Sequence, residues 1–382
     1  MYQLNAEAFN PEEFLTKYWQ KKPLLIRQGF KNFQDPISAD EIAGLACEEE
    51  VESRLVYKTG AQWQAQFGPF DSYQHLGDKD WSLVVQALDH WSEEAAQMIE
   101  PFRFIPQWRL DDLMVSFATP GGGVGPHIDW YDVFICQGSG KRHWRVGDKG
   151  QHREYAAHPA LLHVEPFEAI IDVELAPGDI LYIPPGFPHE GITLETSLSF
   201  SVGFRAQSAV SLLSGLADHL IDHEQGGELI SDPERQVTQH SGAINHADFA
   251  KIKQQITSLT QDDDSLRDFI GSFYTQAKHE LDLQAHNELI ESEHVTCAMT
   301  EHNLMRLGGL RAFYFPETLS QGLCYIDGKA VSFPAKISPI VQLMCDQVVV
   351  NTEQLEPWLN NNDFIDFITQ QLTAGYWYFS DA

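Results

Sequence analysis

The rhythm of apolar and polar positions changes twice along this chain, and the changes divide it. Up to about residue 102, helical spacing alternates with short extended runs. In "PEEFLTKYWQKKP", Pro11 sits where a helix start tolerates proline and Asn10 is placed to cap it; "LLIRQGF" then reads as a short strand. "SADEIAGLACEE" opens on Ser38 with acids in its first turn, a second helix. "WSLVVQALDHWSEEAAQMIEPF" carries Leu83, Val84, Leu88 and Trp91 at helical spacing, which predicts one or two further helices. From about 103 to 207 the pattern becomes short alternating strands with turns, as expected of a β-barrel. "RLVYKTG" and "GQHREYAAHPALLHVEPF" add strands or insertions around it. After Ala206 helical spacing returns. Val210, Leu213, Leu216, Leu220 and Ile221 share one face, and "DFAKIKQQITSLT" and "DSLRDFIGSFYTQAKHEL" are two more amphipathic segments. The last hundred residues mix both rhythms. "TEHNLMRLGGLRAFYF" and "GLCYIDGKAVSF" read as strands, the latter turning at Asp327-Gly328; "SPIVQLMCDQ" and "DFIDFITQQLTAG" read as helices and "YWYFSD" as a final strand. Helices with a terminal hairpin predict a winged-helix-like module.

Composition narrows the functional classes. The chain has 382 residues, 43% hydrophobic and 21% charged, the balance of a folded globular protein. No apolar run approaches the roughly 18–20 residues of a membrane helix, and the N-terminus is polar, so no membrane association and a cytoplasmic location are expected. Five scattered cysteines without a Cys-x-x-Cys read as reduced thiols. Acidic residues outnumber basic ones 55 to 25, a formal net charge of −30, which argues against direct nucleic-acid binding. The winged-helix-like module agrees, since the helix where a basic recognition helix would be expected, "NNNDFIDFITQQL", contains no Lys or Arg. An acidic surface serves solubility and also suits a basic protein partner.

The chemistry concentrates in the barrel. In "GPHIDWYDVF", His127 and Asp129 are spaced so that a strand turns both to one face. "APGDILYIPPGFPHEG" is a turn, an alternating strand (Ile180 to Ile183) and a Pro/Gly-stiffened loop ending at His189. Two imidazoles and a carboxylate form the facial triad of non-haem Fe(II) oxygenases. The segment 121–125 before the pair is glycine-rich, which lets backbone approach the site; it lacks the Gly-Lys-Ser/Thr ending of a phosphate loop. In "DVFICQGSGKRHWRV", Arg142 and its rival Lys141 face opposite ways on a strand. Ser116, and Ser199 or Ser201, could add hydrogen bonds. Tyr131 and Asp132 follow the metal pair and could offer an aromatic wall and a carboxylate if the substrate is a cation; a turn-capping role for Asp132 is the competing reading. His143, His152, His158 and His163 lack ligand spacing to the triad and read as surface or loop residues.

With these motifs in hand, the chain resembles the JmjC-type 2-oxoglutarate oxygenases. "WRLDDLMVSFATPGGGVGPHIDWYDVF", "SGKRHWRVG", "FEAIIDVELAPGDILYIPPGFPHEG" and "SVGFRA" are similar to the bacterial ribosomal oxygenases, and the likeness extends over almost the whole chain. The resemblance implies an α+β protein. Its core would be a double-stranded β-helix (cupin/JmjC) barrel with N-terminal helices, followed by a helical dimerisation bundle and a winged-helix-like module. The expected divisions are 1–206 (barrel core about 103–206), 207–282 and 283–382. It implies Fe(II), 2-oxoglutarate as cosubstrate and O2, with His127, Asp129 and His189 on the metal and Arg142, aided by Ser116, on the distal carboxylate of the oxo acid. It further implies a homodimer, and hydroxylation at the β-carbon of an arginyl residue of large-subunit ribosomal protein L-sixteen, giving 3-hydroxyarginine, succinate and CO2. The same site could serve a histidyl hydroxylase or an N-methyl demethylase. From another class, a non-catalytic cupin-like or winged-helix regulator stays open.

Overall fold

In a computed structural model, residues 2–283 and 290–380 are described. The chain divides into two compact units. The first is Met1–Ala206 with Lys278–Gln284 and Leu307–Gly309; the second is Gln207–Ala277, Ala285–Arg306 and Leu310–Ala382. Residues 284–289, at the expected start of the C-terminal module, lie outside the described residues.

The first unit is built on two sheets. Its strands are β1 (Leu24–Ile26), β2 (Ser53–Thr59), β3 (Gln62–Phe67), β4 (Trp81–Val85), β5 (Leu110–Ala118), β6 (His127–Ile128) and β7 (Asp132–Gln137). They continue as β8 (Arg142–Gly147), β9 (Glu154–His158), β10 (Leu161–Val164), β11 (Ala169–Leu175), β12 (Ile180–Ile183), β13 (Pro188–Thr193) and β14 (Ser197–Phe204). The major sheet runs β1-β12-β7-β14-β5-β4-β2-β3 and the minor sheet β11-β8-β13-β6; β9 and β10 form a separate hairpin. All these pairs are antiparallel.

Alternation sorts the side chains. On β14, Leu198, Phe200 and Val202 join a large core on one face of the major sheet, where Phe14, Ile42, Leu83, Phe134 and Tyr182 also pack. Ser197, Ser199 and Ser201 turn to the other face. A second core, including Val133, Ile135, Trp144, Val146 and Leu181, fills the space on that other face. The helix α1 (Pro11–Lys17) contributes Phe14 to the large core and is capped by Asn10, whose side chain accepts from the Glu13 N–H. The helix α2 (Ala39–Leu45) starts with a full capping box between Ser38 and Glu41.

One expected helix is a strand. Trp81–Val85 lies in the major sheet between β2 and β5, and only α3 (Leu88–Trp91) and α4 (Glu93–Ala96) are helical in that stretch. Ser82 through Val85 are all buried, because both faces of the strand are covered. A continuous apolar run carries no period that separates a buried strand from a helix, and the β-branched pair Val84-Val85 decides for the sheet.

The second unit begins with α5 (Ala209–Asp222), α6 (His246–Ser258) and α7 (Asp263–Thr275), of which α5 and α7 pack through Leu216, Leu220 and Phe269. It continues with α8 (Ser292–Glu301), β15 (Asn303–Arg306), β16 (Ala312–Phe313), α9 (Pro316–Leu319), β17 (Leu323–Ile326) and β18 (Lys329–Ser332). It closes with α10 (Ser338–Asp346), β19 (Val349–Val350), α11 (Thr352–Leu355), α12 (Asn362–Thr373) and β20 (Trp377–Ser380). The β17–β18 hairpin turns at Asp327 and Gly328, both at positive φ, as a two-residue turn between twisted strands requires. Among the described residues, no helix is long and apolar enough to cross a membrane.

Candidate active site

The minor sheet presents two histidines as a matched pair. β6 runs antiparallel to β13 with His127 directly opposite His189, which sets their ring centroids 4.3 Å apart. Asp129, two residues on, turns to the same side: its Oδ2 lies 3.6 Å from His127 Nε2 and 3.5 Å from His189 Nε2. Each ring's other nitrogen is engaged. His127 Nδ1 donates to the Gly125 carbonyl at 2.9 Å and His189 Nδ1 to the Phe187 carbonyl at 3.0 Å. A carbonyl can only accept, so Nδ1 of each ring carries a proton and Nε2 is the nitrogen turned toward Asp129. Metal-binding histidines are held in this way.

Burial opposes charge at both ends of the cluster, yet the neighbours outweigh it. Desolvation pulls the His127 proton affinity down, but the Asp129 carboxylate more than offsets this, and the net direction is up. For Asp129, burial pushes up while the two imidazoles hold it well below the usual carboxylate range. The cluster therefore keeps an anion between two imidazoles, a donor set that suits a divalent cation.

Glycines bring the strands together. The Gly121 N–H donates to the Thr193 carbonyl and the Thr193 N–H to the Gly122 carbonyl, so the loop before His127 is zipped onto the end of β13. Gly125 sits at φ +85°, and a Cβ there would fall 2.2 Å from the His163 ring. Only glycine fits that turn.

Arg142 is the second anchor. It lies on the inner face of β8, with Thr193 as its partner on β13. Its Nε donates to Ser197 Oγ at 2.8 Å, Nη1 to Ser116 Oγ at 3.1 Å, and Nη2 to the Ser116 and Ser197 carbonyls at 2.7 and 3.3 Å. Four of the five guanidinium N–H groups are thus used, and one on Nη1 is left for a ligand. The side chain is buried, which pushes its pKa down to about 9, and among the described residues no carboxylate pairs with it. A buried cation without an anion is costly, so the site favours an anionic occupant. Lys141 turns outward to Glu195, at 3.2 Å.

Between the triad and Arg142 lie two unpartnered polar atoms. Trp144 Nε1 and Thr193 Oγ1 are buried without hydrogen-bond partners among the described residues. Both belong to the strands that carry Arg142 and His189, and the Trp144 ring centroid is 6.2 Å from that of His189. A two-His, one-carboxylate donor set, spare donors and a single buried guanidinium fit a divalent metal together with a short dianionic oxo acid.

The two substrate candidates part company. Tyr131 is bound to the triad through Asp129, and burial together with Asp129 and Asp112 raises its pKa. The Arg205 guanidinium stands 5.9 Å from its ring. Asp132 does not join them. It alternates to the opposite face of β7, where it accepts from Tyr182 Oη at 2.5 Å and Gln20 Nε2 at 2.9 Å, with Arg109 at 3.6 Å. Besides Asp129, the carboxylate that bears on Tyr131 is Asp112, on β5.

Other residues escaped the sequence reading. Ser197, rather than Ser199 or Ser201, shares Arg142 with Ser116; the three serines alternate identically, so only register could choose among them. Arg54 occupies the row Arg54–Val84–Ser116–Ser199–Gln137 across the major sheet, and its charge bears on His127 and Tyr131. His163, expected at the surface, is 1% exposed. Its Nε2 donates to the Val124 carbonyl at 2.9 Å and its ring packs edge-on against Trp63. The alternation of Leu161 and His163 to one side of β10 was the available signal.

The JmjC domain family matches residues 97–212, and the ROXA-like winged helix family matches residues 258–378. The ribosomal protein uL16 3-hydroxylase of Escherichia coli (strain K12) is 43% identical over 379 residues, covering 99% of each chain. The X-ray structure of E. coli YcfD superposes with a TM-score of 0.92 at 43% identity, over 99% of this chain and 100% of that one. A structure of YcfD, described as a ribosomal oxygenase in complex with cobalt and 2-oxoglutarate, superposes with a TM-score of 0.89 at 42% identity over the full length of both.

Proposed function

This chain belongs to the JmjC ribosomal oxygenases, and from that premise we propose that it hydroxylates the β-carbon of an arginyl residue of uL16, the large-subunit protein L-sixteen. It is an Fe(II)- and 2-oxoglutarate-dependent dioxygenase that yields 3-hydroxyarginine, succinate and CO2. The observation that carries this reading is the pairing of a two-His, one-carboxylate cluster with a buried guanidinium that has no carboxylate partner among the described residues. His127, Asp129 and His189 would hold Fe(II). When bound, the iron supplies the activation of O2 that inserts one oxygen atom into a substrate C–H bond as the oxo acid loses CO2.

The chain's own residues do the positioning. Carbonyls of Gly125 and Phe187 fix both imidazole tautomers before anything binds, so no reorganisation is needed at loading. Arg142, itself clamped by Ser116 and Ser197, receives the distal carboxylate of 2-oxoglutarate through a charge-assisted hydrogen bond. Tyr131 offers an aromatic wall to the substrate guanidinium, with the charges of Asp129 and Asp112 bearing on it. Asp132 works at a distance by tying β7 to Gln20, which lies just beyond α1.

The net charge of −30 favours encounter with a basic ribosomal protein in the cytoplasm. A homodimer would use α5 and α6. Val210, Leu213 and Ile221 on α5 are 77%, 63% and 72% exposed, and Phe249 and Ile256 on α6 are also exposed, more apolar surface than a solitary helix pair tolerates. Incubation of uL16 with the protein, Fe(II), 2-oxoglutarate and ascorbate should add about 16 Da, one oxygen atom, to the intact mass. Fragmentation should assign it to an arginine. Metal and oxo-acid binding without that gain would sink uL16 as the substrate and leave the oxygenase standing.

A further inference from the structure

Among the described residues a second group, far along the chain from the barrel ligands, also gathers two imidazoles and a carboxylate: His219, His223 and Asp268. We infer that these residues form a second divalent transition-metal site, of the kind that takes Zn²⁺, clamping the end of α5 to α7.

Local structure delivers the ligands. His219 and His223 are one helical turn apart, an i, i+4 pair on one face, with ring centroids 4.1 Å apart. Helices α5 and α7 approach closely because Gly215 has no side chain; a Cβ there would meet the Phe273 ring at 2.6 Å. One turn beyond Gly215, His219 reaches α7, where its Nε2 lies 3.8 Å from Asp268 Oδ2 and its ring 5.6 Å from Phe269. The Ser265 hydroxyl donates to Gln225 Oε1 at 3.2 Å, which fastens the chain just past α5 to the start of α7.

Three features suit the cluster to a cation. The His223 Nδ1 donates to the His219 carbonyl at 2.8 Å, so its Nε2 keeps the lone pair that a metal requires. The ligand atoms all lie within 4.8 Å of one another, and tetrahedral Zn²⁺ wants them about 3.4 Å apart, a gap that side-chain rotation closes. Finally, His223 is the C-terminal cap of α5, where helix carbonyls concentrate negative potential. Imidazole with carboxylate at an open surface position selects Zn²⁺, Ni²⁺ or Co²⁺ over Mg²⁺ or Ca²⁺. His219 is nearly covered (9% of its side chain exposed) while His223 is open, so the fourth position faces water.

This site shares no ligand with the barrel, so the two can be counted separately. The full chain, free of any polyhistidine tag, is dialysed against micromolar Zn²⁺ and bound metal is measured by mass spectrometry. The native chain should hold two Zn²⁺, Asp129→Ala one, and His223→Ala one. Zn²⁺ should still raise the melting temperature of Asp129→Ala but not that of the double variant Asp129→Ala, His223→Ala. One equivalent in the native chain, or two in His223→Ala, overturns the inference. Because His223 is exposed, its replacement leaves the fold intact, and Asp268→Asn provides an independent check on the same count.

Discussion

The two clusters contain the same donors and differ in what surrounds them. In the barrel, His127 and His189 stand on adjacent antiparallel strands with Asp129 just past the end of β6, and both imidazoles have their second nitrogen fixed by a carbonyl. On the helices, His219 and His223 stand on one turn, and only His223 has such a fixed nitrogen. The barrel site adds a buried, anion-seeking Arg142 and, beside it, donors without a partner among the described residues; the helical site opens to water. A donor set alone therefore specifies a metal. Chemistry also requires partners that fix the ligand rings, as the Gly125 and Phe187 carbonyls do, and a place for a cosubstrate beside the metal.

The strongest way to test that contrast is to remove one carboxylate from each cluster. Asp129→Ala should abolish hydroxylation of uL16 and 2-oxoglutarate turnover to background, since it removes a ligand and leaves two imidazoles facing an unbalanced cavity. Asp268→Ala should leave turnover unchanged while lowering bound Zn²⁺ by one per chain. A paired measurement of succinate release and metal content checks both. Retained turnover in Asp129→Ala would put the reactive metal elsewhere.

The next effect falls on the cosubstrate. Arg142→Ala should raise the 2-oxoglutarate concentration needed for half-maximal rate by about tenfold to a hundredfold, the range of one hydrogen bond to a charged group at 1.5–3 kcal/mol. Lys141→Ala should leave it unchanged, since Lys141 pairs with Glu195 at the surface. Steady-state titration of 2-oxoglutarate distinguishes the two, and equal effects would discard the anchor.

These contrasts also mark what was legible in the sequence. The His-x-Asp spacing and the loop delivering His189 were readable because strand period and turn chemistry are local. The capping residues Asn10 and Ser38 and the Asp327-Gly328 turn were readable for the same reason. What escaped depended on pairing between distant segments. Trp81–Val85 became a strand because β2 and β5 cover its edges, and Ser197 rather than Ser199 met Arg142 because of register. The direction of Asp132 followed from where its strand was placed between two cores, and the helical cluster from a glycine that lets α5 meet α7.

A smaller effect probes the scaffolding behind the barrel ligands. Gly125→Ala places a Cβ against His163 at a positive φ and disturbs the carbonyl that holds His127. It should cost about 1–3 kcal/mol of stability and weaken Fe(II) binding by about tenfold to a hundredfold, as loss of an outer partner does. Iron titration followed by thermal melting reads both quantities. Unchanged affinity would mean that the tautomer is fixed by something other than the glycine loop.

The smallest expected effect is the most discriminating, because it separates positioning from contact. Asp132→Asn keeps the size of the side chain but removes the charge that Gln20, Tyr182 and Arg109 share. Burial raises the Asp132 pKa, with Tyr182, Gln20 and Arg109 pulling the other way. Since the net folded-state value lies above the unfolded one, the proton is held more tightly in the native chain, and the cost of ionising this group is felt as pH rises through that folded value. The asparagine variant should therefore lose its hydrogen-bond complementarity, about 1 kcal/mol, and regain part of that loss relative to the native chain as pH rises from the unfolded-state carboxylate value through the raised folded-state one. Its turnover should match the native enzyme at saturating 2-oxoglutarate and uL16, because Asp132 faces away from the triad. A fall in turnover larger than the fall in stability, with the rise in KM confined to uL16, would instead return Asp132 to the substrate pocket.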